Sequence, residues 1–142
     1  MSSRIILYRS EYNKMLAEAR AKSPQEACGL IAGTVSESGE KIISRVYILK
    51  NIDESAEHFS LDPAEQLKAV KDMRSRSLKP LGNWHSHPAT PSRPSDEDKR
   101  LAYDKNAVYM ILSLAGAEPV LNAFRINGSE AEKEELEIEE NE

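Results

Sequence analysis

Cysteine is nearly missing from this chain: Cys28 is the only one among 142 residues. An intrachain disulfide is therefore impossible, which fits a reducing compartment. Long apolar runs are missing too. Nothing approaches the roughly 20 apolar residues of a membrane-spanning helix. The N-terminal "MSSRIILYRSEYNK" has too short an apolar run for the core of a secretory signal. No basic run occurs, and aromatic residues do not interleave with basic ones, so a nucleic-acid surface is not expected. No internal repeat is visible. Histidine is scarce, with three in all, which argues against histidine-rich two-metal sites. These absences leave a soluble cytoplasmic protein, with neither nucleic acid nor membrane as partner, as the default expectation.

The length suits one domain. A chain of this size buries roughly two-thirds of its unfolded surface and needs no disulfide framework. The net charge is -5, unevenly spread. From Ser129 onward, "SEAEKEELEIEENE" carries eight Glu and one Lys, so the first 128 residues are near neutral. The expected organisation is a domain over 1–128 and an acidic tail over 129–142. Within the tail "ELEIE" can add an edge strand, but its charge density favours a solvated, partly disordered segment.

Along the chain, "RIILY" (4–8) reads as a strand. A helix over "EYNKMLAEARAKS" follows, with Ser10 as its cap and Pro24 past its end. "ACGLIAGTV" (27–35) and "KIISRVYILK" (41–50) read as a hairpin pair across the turn "SESGE". "LDPAEQLKAVKDMRSRS" has Asp62 as cap, Pro63 at its first position, Glu65 completing a capping box, and an apolar stripe of Leu67, Val70 and Met73. "PLGNWHSH" (80–87) reads as a strand, "SDEDKRLAYDK" as a helix capped by Ser95, and 107–114 and 120–126 as the last strands. This order is that of an α/β domain with a mixed sheet covered by helices.

The stretch "NWHSHPATPSRPSDED" (83–98) carries the candidate chemistry. Alternate strand residues share a face, so His85 and His87 project together and Ser86 and Trp84 turn away. Two imidazoles on adjacent pleats can chelate one ion. A hydrolytic zinc site needs three protein ligands and one open position, so a third ligand must come from elsewhere. Asp96, Glu97 and Asp98 are on offer, and the prolines of 88–94 restrict how the loop returns. Hydrolysis also needs a proton acceptor. Glu26, beside the apolar strand "ACGLIAG", is a costly place for a carboxylate without a partner. Each residue has a plainer reading alone: Ser95 with Asp98 as a helix cap, Glu26 as a surface residue at a strand edge.

Together, Glu26, then His85-Ser86-His87, seven residues, Ser95, two residues and Asp98 resemble the JAMM (MPN+, Mov34/MPN/PAD-1) metalloprotease family, and every motif position matches. The resemblance implies a single-domain MPN fold of the cytidine-deaminase-like kind, with a curved mixed sheet flanked by helices. It implies Zn2+ as cofactor, held by His85, His87 and Asp98. Glu26 would be the general acid/base, and Ser95 would stabilise the oxyanion. The implied reaction is hydrolysis of a peptide or isopeptide bond after the Gly-Gly tail of a ubiquitin-like protein. The spacings leave little room for the insertions of eukaryotic members. The chain is similar to short prokaryotic members, including peptidases that release an amino acid such as cysteine from a sulfur-carrier protein, and "NIDESAEHFSLDPAEQ" (51–66) resembles them as well. A sulfur-carrier or other small ubiquitin-like protein is then the expected partner.

The alternative class is a non-catalytic MPN scaffold, but such members usually lose a ligand or the Glu. A metallo-β-lactamase-like site would want a further Asp-His close behind the pair, which "HSHPAT" lacks. A structural or surface role is expected for His58. Cys28 shares the face of Glu26 and is expected to be a small buried hydrophobe. Asn51 and Ser113 are candidates for contact with a substrate tail by position alone. Asp96 and Glu97 are explained by the helix N-terminus.

Overall fold

The computed structural model describes residues 4–140. Residues 1–3 of the expected domain and 141–142 of the expected tail lie outside the described residues. The chain order is β1 (Ile5–Tyr8), α1 (Arg9–Lys22), β2 (Cys28–Val35), β3 (Lys41–Leu49), α2 (Pro63–Ser75), β4 (Lys79–His87), α3 (Asp96–Arg100), β5 (Val108–Ser113), β6 (Val120–Asn127), β7 (Glu130–Glu134) and β8 (Leu136–Glu139). The strands form one mixed sheet in the order β7-β6-β5-β4-β2-β3-β1-β8. The β2–β3 hairpin is antiparallel, as its turn-linked apolar runs predict. β4 lies antiparallel to β2 and parallel to β5.

The acidic segment left open between edge strand and solvated tail supplies both edges of the sheet. β7 pairs with β6, and β8 pairs in parallel with β1. A single residue, Glu135, separates them, so the sheet must curl until its two edges come together. Leu136 packs half-buried against the main core. Arg4 and Arg9 pair with Glu137 and Glu140, which places the acidic strand on the basic start of the chain. Such exposed pairs contribute at most about 1 kcal/mol each, so backbone pairing and Leu136 dominate the closure.

The two faces of the sheet bury different clusters. Ile5, Leu7, Ile31, Trp84, Met110 and Leu112 pack with Met15 and Ala19 of α1. Leu30, Ala32 and Leu49 pack with Ala69 and Met73 of α2 on the opposite face. Trp84 lies with the α1 side, away from His85, as strand alternation requires. Its indole N–H donates to the Tyr47 carbonyl at 3.0 Å. The indole crosses Gly29 to do so: a Cβ there would stand 2.5 Å from Trp84 Nε1 and 1.7 Å from Tyr47 O.

Three local expectations are corrected. Helix α1 begins at Arg9 with Tyr8 at the cap, so Ser10 lies within the first turn. Asp62 does cap α2, accepting from Ala64 N–H, but Glu65 closes no capping box: its carboxylate accepts the Lys50 N–H at 2.6 Å. Leu67 is 58% exposed, and the buried stripe runs through Ala69 and Met73. For Glu65 a tertiary partner overrode a pattern that was acceptable locally.

Candidate active site and metal centre

The last residues of β4 carry the two imidazoles. Both are nearly buried, in the middle of the sheet, with Cys28 of β2 and Ile111 of β5 flanking His85 in register. The proline-rich segment after them is stapled down by side chains from β5, β6 and the segment itself. Ser113 Oγ donates to Thr90 O at 2.6 Å, Ser92 Oγ to Ile111 O at 2.6 Å, and Asn122 Nδ2 to Ser92 O at 3.1 Å. Ser113 is thus spent on the loop rather than facing a substrate. The chain then enters α3 through a full capping box. Asp98 N–H donates to Ser95 Oγ at 3.0 Å, and Ser95 N–H donates to Asp98 Oδ2 at 2.9 Å.

That box turns Asp98 back onto the histidines. His85 Nε2 and His87 Nε2 are 3.1 Å apart, and each lies 3.2 Å from Asp98 Oδ2. His87 Nδ1–H donates to Pro91 O at 2.9 Å, which leaves the lone pair of the neutral ring on Nε2, facing the cluster. Two ring nitrogens and a carboxylate oxygen in mutual contact repel unless a proton or cation lies between them. Ligands at zinc–nitrogen and zinc–oxygen distances around a tetrahedral ion stand about 3.3 Å apart. The triangle fits one such ion with a fourth direction open. Among the described residues it is the group of His, Cys, Asp and Glu side chains close enough to hold a metal. Burial raises the Asp98 carboxyl, but without a metal its pairing with the His85 and His87 rings outweighs that and holds it well below the usual range, while the same pairing raises His87. Burial drives the His85 imidazole down, disfavouring its protonated form and favouring a ligand-competent ring.

Glu26 precedes β2 on the face that carries Cys28 and His85. It is 5% exposed, and its Oε1 is buried without a hydrogen-bond partner. Burial pushes its carboxyl up to about 8, with nearby His87 opposing and Asp98 adding. The structure brings His85 Nε2, His87 Nε2 and Asp98 Oδ2 into contact, with Ser95 N–H bonded to Asp98 and the charges of His87 and Asp98 acting on Glu26.

The remaining candidates fall outside that set. Cys28 is fully buried, with its thiol against Leu49 O and burial pushing it up to about 12, so it is inert. His58 is exposed and meets Glu97 Oε1 at 2.5 Å; that hydrogen bond raises its pKa. It thereby ties the 51–61 loop to α3, and Glu97 is engaged by a side chain rather than only by the helix terminus. Phe59, on the same loop, stacks on His85 at 4.5 Å between ring centres. Phe59, Tyr109, Ile111, Leu101 and Ile126 line a small apolar cavity beside His85 and Asp98.

Comparison with known proteins agrees with this geometry. The profile described as prokaryotic homologs of the JAB domain matches residues 9–127. The chain belongs to this family. Within it, a Mycobacterium tuberculosis protein named CysO-cysteine peptidase is 37% identical over 101 residues, covering 71% of this chain and 67% of its own. A solution structure of a Desulfitobacterium hafniense protein shares 49% identity, with a TM-score of 0.88 over 96% of this chain and 94% of that one. A crystal structure of a JAB1/MPN domain protein from Archaeoglobus fulgidus, at 22% identity, has a TM-score of 0.63 over 97% and 98% of the two chains. The fold is thus the expected single-domain MPN architecture of the short prokaryotic JAMM type.

The parts of this JAB-domain site that the motif does not contain are those that support it. Ser86, turned away from the histidines, accepts the Ala27 N–H at 2.8 Å and so pins the residue next to Glu26. Asn51 makes four internal hydrogen bonds and has none left for a substrate tail. The family resemblance of 51–66 and the position of Asn51 pointed to that loop; nothing in its composition marks Phe59.

Proposed function

We propose that this chain is a zinc-dependent peptidase that hydrolyses the bond after the C-terminal Gly-Gly of a sulfur-carrier or other small ubiquitin-like protein. The observation that carries the reading is the triangle of His85 Nε2, His87 Nε2 and Asp98 Oδ2 together with a buried Glu26 whose Oε1 has no hydrogen-bond partner. The similarity to a CysO-cysteine peptidase supports the substrate class.

His85, His87 and Asp98 would hold the zinc, which when bound would supply Lewis acidity toward the scissile carbonyl and lower the pKa of water toward about 7. Glu26 Oε1 takes a proton from the attacking water. It then returns the proton to the amine nitrogen as the C–N bond breaks. A cation at the triangle favours the ionised form of Glu26, opposing the desolvation that raises it. Ser95 Oγ already accepts the Asp98 N–H, so its own hydroxyl proton is free to donate to the carbonyl oxygen as charge develops there. Such a donor contributes about 3 kcal/mol to the barrier reduction. The buried positions of His85, His87 and Glu26 keep bulk water from competing.

The test is incubation of the zinc-loaded protein with small ubiquitin-like proteins of the same organism, extended at the C-terminus and read by intact mass. Cleavage directly after Gly-Gly, abolished by chelator and restored by zinc, is expected. Intact substrates throughout, with a verified metal load, would count against the reading.

A further inference from the structure

The buried Oε1 of Glu26 lacks any hydrogen-bond partner. The side chain is carried by a backbone that lies just outside β2 and is held by a loop. Glu26 N–H donates to Ser55 O at 2.7 Å, and Glu26 O accepts from Asn51 Nδ2 at 3.0 Å. The same Asn51 amide nitrogen donates its second proton to His58 O at 2.9 Å. Its Oδ1 accepts from Asp53 N–H at 3.0 Å and Ser60 N–H at 3.1 Å. Two donors and two lone pairs are all that an Asn side chain has, and all four are used here. An isolated bridge between Asn51 and Leu61 closes the base of the loop.

We propose that Asn51 is a positioning residue: it fixes Glu26 for proton transfer and, through the same amide, sets the loop that lays Phe59 on His85. This rests on the peptidase reading above. An asparagine suits the position physically. Aspartate would turn a second oxygen toward the carbonyls of Glu26 and His58. Glutamine carries the same groups one methylene further out. A misplacement of about 1 Å in a reacting group can cost about 100-fold in rate, so a loosened backbone at Glu26 should appear in turnover rather than in substrate affinity. The three ligand side chains hang from β4 and α3, so metal content should be insensitive to Asn51.

The experiment compares Asn51→Asp and the milder Asn51→Ser with wild type in three measurements: zinc per chain, amide exchange by NMR, and steady-state cleavage. Both variants are expected to bind about one zinc. Their Glu26 amide should exchange at least tenfold faster, while amides in the centre of β4 keep their protection. With an active substrate, kcat should fall about 100-fold, by the same positional sensitivity, with KM within about threefold. Wild-type protection at Glu26 in a folded variant would overturn the proposal, as would a loss confined to KM. If Asn51→Asp fails to fold, Asn51→Ser decides on the same criteria. The exchange measurement needs no substrate, so a wild-type protein that cleaves nothing refutes the peptidase reading and leaves the tethering of Glu26 to be judged on its own.

Discussion

The two halves of the site are built by different means. The proposed ligand half lies within 14 residues of chain, from His85 to Asp98, and its geometry comes from strand alternation, a stapled loop and a helix cap. Strand alternation and the cap are local devices, while the loop between them is stapled to β5 and β6. The proposed acid/base half is a single residue, Glu26, brought in by β2 pairing with β4 and held by a loop from beyond β3. Its carboxyl oxygen Oε1 is buried without a partner, which is costly. The difference suggests that the ligand half should fail by losing metal and the acid/base half by losing turnover.

The largest effect tests the ligand half. His87→Ala should abolish zinc binding and bring cleavage to background, and should lower the melting temperature of the zinc-supplemented protein, because metal binding adds to folding free energy. Metal analysis showing a full complement would remove His87 from the ligand set. Glu26→Gln should separate the halves most sharply. It should keep about one zinc and lose turnover by about 10³-fold, within the range of general acid–base catalysis; a variant that still turns over at near wild-type rate would exclude Glu26 as the proton carrier. Ser95→Ala blurs the boundary, since Ser95 braces Asp98 and is proposed to meet the substrate. Its kcat should fall about 10²-fold, the loss for one oxyanion donor, with zinc retained; unchanged kcat in a loaded variant would leave it a cap only.

The smallest effect reads the cost of the acid/base half directly. The Glu26 carboxyl lies near 4.5 in a free chain and about 8 in the fold without metal. The folded state therefore holds the extra proton between those values, and metal-free stability should fall as pH rises through that window. Chelated Glu26→Gln should then melt several degrees above chelated wild type near pH 8, the gap closing toward about pH 4. Parallel melting curves across that range would mean that Glu26 is better solvated than its burial indicates.

Much of the ligand half was legible from one dimension. That His85 and His87 share a face follows from the two-residue strand period, and Ser95 as cap from a capping pattern, both properties of adjacent residues; only the family resemblance singled out Asp98 over Asp96 and Glu97. The same kind of pattern misplaced Ser10, Glu65 and Leu67. A local pattern says what a residue can do, not which tertiary partner competes for it: Glu65 had a capping role available and took the Lys50 N–H instead.

The sequence by itself determined the α/β element order over the first 127 residues, the face on which the histidines stand, and the motif that joins them to Glu26. Tertiary structure alone decided that the acidic segment supplies both edges of the sheet. It also decided that Phe59 covers His85, and that Asn51 is spent on the backbone of Glu26. The physical reason is range. Periodicity and capping act over a few residues and leave a mark in composition, whereas a hydrogen bond between residues 25 apart leaves none, because any loop able to close there could have made it.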